Sequence, residues 1–234
     1  MRPFLLLLSF SLVGCATTAS VLVVTTEEPE WLSWPLIEAP LSEPPLESGP
    51  VVERPRPPKR LVTKARKLVG LSTLRVTVPH LPDDCTGLVR AVYEDSGIEL
   101  MSLVLRGDNG VTGMYRLALE RSALHTNAPE PGDLVFFRET YDRNRDGKHN
   151  DGLTHVGVVE SVDEDGTVQF VHRIHGGVKR GKLNVETPLD KKRNDYLRPA
   201  KKNAAAALTG ELFVTFASAS RLANALRAES APIR

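Results

Sequence analysis

Residues 154–174 read THVGVVESV (154–162), DEDG (163–166) and TVQFVHRI (167–174). Two runs rich in β-branched and aromatic residues flank a short acidic turn closed by glycine, and this pattern predicts a β-hairpin. In a hairpin symmetric about the turn, paired residue numbers sum to 329. Val162 then faces Thr167, Gly157 faces His172 and His155 faces Ile174. His155 and His172 become diagonal neighbours on one sheet face, on the order of 7 Å apart. His175 has the opposite parity and is expected to point away.

Upstream, PEPGDLVFF (129–137, preceded by Ala128) gives a proline–glycine turn at 129–132 and a short strand over 133–137. Between this strand and the hairpin, Asp142-x-Asn144-x-Asp146-Gly147 imitates the opening of a calcium loop, with Asn150 at the ninth position. The twelfth position is Leu153, where a bidentate glutamate is required, and no good helix flanks the loop. It is read as a turn-rich surface loop leading into His155, with calcium as the alternative and no metal assigned.

The segment DDCTGLVRAVYEDSG (83–97) has Cys85, Leu88, Val89, Val92 and Tyr93 at helical spacing. Asp84 suits the N-cap and Gly97 the stop. Cys85 falls in the first turn, where free amides and the helix dipole favour a thiolate. One helix-start cysteine and two histidines on one sheet face make a possible nucleophile, base and orienter set. For each residue alone a purely structural role is the default; the three together point to catalysis.

Further helices are predicted from Leu61 to a stop at Gly70, with its basic residues on a solvated face, and from Gly110 to about His125. Asp195–Arg198 is expected to close the sheet. Ala204–Leu226 is expected to form a C-terminal helix packed on the domain, although Gly210, Val214 and Thr215 are poor helix formers.

The chain has 234 residues with formal net charge +1, 41% hydrophobic and 25% charged. The near-balanced charge argues against a nucleic-acid binder, and two cysteines exclude a disulfide-rich scaffold. The first residues, MRPFLLLLSFSLVGC, combine Arg2 with an apolar core over 4–13 that is too short to span a bilayer. Residues 27–60 hold nine of the 17 prolines, and also Trp31 and Trp34. That composition precludes regular helix or sheet interior and reads as a tether reaching about 100 Å at about 3 Å per residue.

Leu12-Val13-Gly14-Cys15 resembles the lipobox of bacterial lipoproteins, which implies lipidation of Cys15 and attachment to the periplasmic side of a Gram-negative outer membrane. Cys85 would then be the one thiol left. The motifs DCTGLV (84–89), PGDLVFF, THVGVV and FVH (170–172) resemble, in order, those of NlpC-type cell-wall cysteine peptidases of the papain-like superfamily. PGDLVFF and HVGVVESV also resemble CHAP amidase domains, and the histidine at 172 favours the NlpC type. The implied fold is α+β, with N-terminal helices packed on a small antiparallel sheet.

The resemblance implies Cys85 as nucleophile, His155 as general base, His172 as the polar third member and the Cys85 backbone N–H as part of an oxyanion hole. It implies hydrolysis of amide bonds in peptidoglycan stem peptides through a thioester, with no cofactor. Two departures stand out. The region before Cys85, LSTLRVTVPHLPD, lacks the family's usual tyrosine, and Thr86 replaces a serine. The organisation expected is a signal peptide (1–14), a lipidated cysteine and tether (15–60), the peptidase domain (61–200) and a helical extension (201–234). The rival readings are a catalytically silent peptidoglycan-binding lipoprotein using the same groove, a CHAP-like amidase, or an acyltransferase on the same fold.

Overall fold

The computed structural model describes residues 59–200 and 205–223. The signal peptide, Cys15, most of the tether with Trp31 and Trp34, and residues 224–234 lie outside them. Among the described residues no helix is long and apolar enough to cross a membrane.

Three helices come first: α1 (Lys59–Leu68), α2 (Cys85–Tyr93) and α3 (Gly110–Glu120). Asp84 caps α2 by accepting from the Gly87 amide, and Asn109 caps α3 by accepting from Thr112. Gly70 and Gly97 follow α1 and the α2 region at positive φ, where glycine escapes a Cβ clash. The strands are β1 (Leu124–His125), β2 (Leu134–Arg138), β3 (Leu153–Val162), β4 (Val168–Ile174), β5 (Gly177–Leu183), β6 (Tyr196–Arg198), β7 (Ala207–Leu208) and β8 (Phe213–Ala217). A short helix, α4 (Thr209–Leu212), precedes β8. β1-β8-β2-β3-β4-β5 form one sheet in that order, antiparallel throughout. The fold is α+β.

Both sheet faces are covered, so β3 is buried almost without interruption instead of on alternate residues. On one face Phe136, Val156, Val158 and Val171 pack against Leu61, Leu88, Val92 and Met114 of the three helices. On the other, Val135, Phe137, Val159, Phe170 and Phe216 form a second core with Ala207 and Leu212.

The C-terminal expectation is overturned. Residues 213–217 form β8, inserted between β1 and β2, because Val214, Thr215 and Phe216 fit a pleated, doubly covered site better than a helix. Helix returns only at 219–223. β6 pairs with β7 in a separate two-stranded sheet and does not close the main one. The third helix stops at Glu120, short of the expected end near His125, and Leu124–His125 becomes β1.

The hairpin carries two irregularities that compensate. The turn is one residue longer than a symmetric DEDG turn, so Val162 pairs with Val168, and the numbers sum to 330 there. Glu160 is an extra residue in β3, and beyond it Val159 pairs with Phe170 and Val158 with Val171, restoring 329. The bulged Glu160 is buried and accepts from Arg66 of α1 at 2.8 Å and from Arg180 of β5 at 2.6 and 3.0 Å. Arg180, then burial in opposition, then Arg66 set its titration, and the net effect holds the carboxyl below its ordinary range.

Glu160→Ala removes the shared acceptor of α1 and β5. It is expected to cost about 1–2 kcal/mol, since both arginines can turn to solvent, read as a lower urea midpoint at unchanged slope.

Candidate active site

α2 begins at Cys85, and β3 begins two residues before His155. Both residues line one open cavity of about 790 Å³, with Asp83, Asp84, Thr86, the start of α3 (Asn109–Val111), Thr140, Tyr141, Thr154, Arg173–His175 and Tyr196, Leu197 and Pro199. His172 lies behind His155 on the same sheet face. The two imidazoles meet at 3.0 Å, His155 Nε2 to His172 Nδ1. Gly157 makes that approach possible: a Cβ there would sit 2.9 Å from Phe170 Cδ2 and 3.4 Å from His172 Cβ.

The pair sits on an aromatic floor. Phe170 meets His172 edge-on with ring centroids 4.8 Å apart, and Phe137 lies 6.2 Å from His155. His155 is 6% and His172 5% exposed. Burial disfavours the imidazolium, so His155 is pushed down to about 4, with a smaller opposing pull from Asp84. His172 is pushed well down by burial, then by the neighbouring His155 and by Lys179, which faces it across β4 and β5. Both rings rest neutral at pH 7. One nitrogen of the 3.0 Å contact therefore donates and the other accepts.

Cys85 corrects the expectation of a resting thiolate. It is partly buried, and burial pushes its thiol up to about 12, with the Asp84 carboxylate adding to the rise. The backbone amides of Val156, Thr86 and Cys85 pull the other way. The helix-start effect is present, but desolvation outweighs it. Asp84 itself accepts from the Gly87 amide at 2.9 Å and the Thr86 hydroxyl at 2.7 Å.

Several site residues escaped the sequence reading. Asp83 accepts from Thr73 Oγ1 (2.8 Å), the Leu74 amide (2.9 Å), Arg173 Nε (3.0 Å) and a terminal Arg173 nitrogen (3.1 Å). Arg173, foremost, and these other donors hold the Asp83 carboxyl well below its ordinary range. The ion pair ties the residue two before Cys85 to the residue one after His172. Nothing local in the sequence joins positions 83 and 173; only the fold does. His175 lies past the end of β4, where strand parity no longer applies, and it is an exposed lining residue, contrary to expectation.

Tyr141 lines the cavity, and its phenol is pushed up, by burial foremost, with Arg143 pulling the other way. The 142–151 loop pairs most of its carboxylate oxygens internally, but Asp142 Oδ1 is buried with no hydrogen-bond partner. Asp142 accepts from the Gly147 amide, and Asp151 accepts from the amides of Arg143 and Asn144. Among the described residues no three His, Cys, Asp or Glu side chains group to hold a metal.

The sequence model of the CHAP domain family matches residues 79–173, about two-fifths of the chain, from just before α2 to the end of β4. The match spans Cys85, His155 and His172, and it supports a hydrolase acting on peptidoglycan. No curated protein and no solved structure matches the chain.

The buried neutral imidazoles have a consequence for stability. Their folded pKa values lie below the unfolded value of 6.5, so the unfolded chain takes up protons first as pH falls. Stability is fully present above pH 6.5 and is lost from there toward pH 4, on the order of 3 kcal/mol for His155 alone. Urea midpoints measured across that window check this, and His155→Phe is expected to flatten the decline.

Proposed function

We propose that the chain is a cysteine hydrolase that cleaves amide bonds of peptidoglycan stem peptides, with Cys85 as nucleophile, His155 as general base and His172 as orienter. The observation that carries this is the His155 Nε2–His172 Nδ1 contact, made behind a cavity that His155 shares with Cys85. With Nε2 occupied by His172, Nδ1 is the nitrogen left for the thiol. It accepts a proton only if Nε2–H donates to His172 Nδ1, so His172 selects the tautomer a base needs.

Because thiol and imidazole both rest neutral, the proton leaves as the substrate arrives. Cys85 Sγ attacks the amide carbonyl while its proton passes to His155 Nδ1. The oxyanion is held by the Cys85 backbone N–H at the start of α2. Collapse breaks the C–N bond, and the leaving amine takes the proton from His155. Water, deprotonated by the same nitrogen, then hydrolyses the thioester and frees the thiol and a carboxylate. His172 steadies the imidazolium formed in each half.

The lipobox-like LVGC motif further supports a lipid anchor at Cys15 and a place on the periplasmic face of an outer membrane; within a papain-like fold, His172 supports the NlpC type, whereas the family match is to CHAP. The un-ionised resting thiol favours the rival, a silent binding module using the same groove.

Digestion of purified peptidoglycan separates the two readings. Cys85→Ala is expected to abolish release of soluble fragments, and His155→Ala and His172→Ala each to slow it about 100-fold or more. Hydroxylamine is expected to trap the acyl-enzyme of the intact chain as a hydroxamate. Wild-type release by Cys85→Ala overturns the nucleophile assignment.

A further inference from the structure

We propose that Tyr141 and Tyr196 form an aromatic wall that seats a sugar ring of a glycan-borne peptide beside Cys85. This rests on the peptidoglycan reading above and narrows it to cleavage close to the glycan strand.

Both tyrosines open onto the cavity that holds Cys85, yet they come from unrelated parts of the chain: the β2–β3 loop and β6. They remain 46% and 56% exposed, while every other aromatic ring of the sheet core is buried or half-buried. An aromatic ring with two rotatable bonds, left half in water at a cavity mouth, is ready-made contact area with little conformational freedom to lose on binding.

The backbone beneath each ring is fixed in advance. Before Tyr141, the amide and hydroxyl of Thr140 both bond Thr154 Oγ1, at 2.8 and 3.0 Å, and both threonines are buried. After it, Asp142 and Asp151 tie the loop to itself through the Gly147, Arg143 and Asn144 amides. The calcium-like pattern at 142–151 thus serves to order the loop that presents Tyr141. Tyr196 sits on β6, pinned to Leu208 of β7, and the neighbouring Asp195 accepts from the Lys182 amide at 2.8 Å.

Charge decides which part of the polymer fits. Arg173 is the one permanent cation among the lining residues, and Asp83 already holds it through two nitrogens. Asp84 adds an anion next to Cys85. Arg143, whose charge reaches Tyr141, stands outside the lining. Among the lining residues the carboxylates of a stem peptide therefore find no free cation. The glycan carries none near its junction with the peptide, and the C–H faces of a pyranose ring suit a tyrosine face while its hydroxyls suit the phenol. The cavity volume, about 790 Å³, lies within the range of small-ligand sites.

Calorimetric titration of the full chain carrying Cys85→Ala tests this without turnover. The probes are a disaccharide-tetrapeptide and the same tetrapeptide without sugars. The sugar-bearing probe is expected to bind at least about ten-fold more tightly. Tyr141→Ala and Tyr196→Ala should each weaken it about five-fold and leave the sugar-free peptide unchanged, whereas Tyr→Phe at either position keeps the ring face and most of the affinity. Equal affinity for the two probes, equal losses on both, or no binding of the disaccharide probe overturns the wall. If the intact chain fails to digest peptidoglycan but this pattern holds, the hydrolase reading falls and the wall stands.

Discussion

One extra residue in β3, Glu160, fixes the geometry on which the candidate site depends. Side chains alternate faces along a strand, so a one-residue slip moves a whole set from one face to the other. The long turn sets a pairing sum of 330 at the closed end of the hairpin. Carried along the strands, that register would pair His172 with Val158 and put His155 on the opposite face. The bulge returns the sum to 329 and brings the imidazoles to 3.0 Å. Its buried carboxylate is held by arginines from α1 and β5, so the helical layer and the edge strand both brace the register.

Desolvation is the second theme. The sheet face that carries the histidines is floored by Phe137 and Phe170, and the cysteine packs at the margin of the helical core. Each environment favours the neutral form, so the pair rests un-ionised, against the pull of the amides at the start of α2. A neutral pair asks less of the folded chain than a buried ion pair, whose desolvation its own attraction must offset. In the mechanism proposed above, charge separation falls in the encounter with substrate, where an oxyanion and donated hydrogen bonds accompany it.

The cavity also divides its labour by element type. Cys85 and His155 sit near the ends of regular elements, where packing fixes them, and the Asp83–Arg173 ion pair couples the approach to α2 with β4. Tyr141 and Tyr196 come from the loop and the small second sheet, parts that can vary without disturbing the core. On the readings proposed above, chemistry rests on the packed elements and recognition on the loop and the second sheet.

How much was legible in the sequence follows from range. Helical spacing with a capping aspartate located α2, and β-branched runs around an acidic turn located the hairpin, because those signals act over a few residues. The register over positions 155 and 172 also came from local arithmetic, although that arithmetic knew neither the longer turn nor the bulge that offsets it. Residues 213–217 could not be read correctly, because a slot between β1 and β2 claims them and that slot exists only once the sheet is assembled. Short-range pattern was enough for the local elements and for the residue types able to do nucleophilic chemistry. The ionisation of Cys85, the partnering of Asp83 with Arg173 and the arrival of Tyr141 at the cavity came with folding, because burial and contacts across 90 residues are properties of the packed chain.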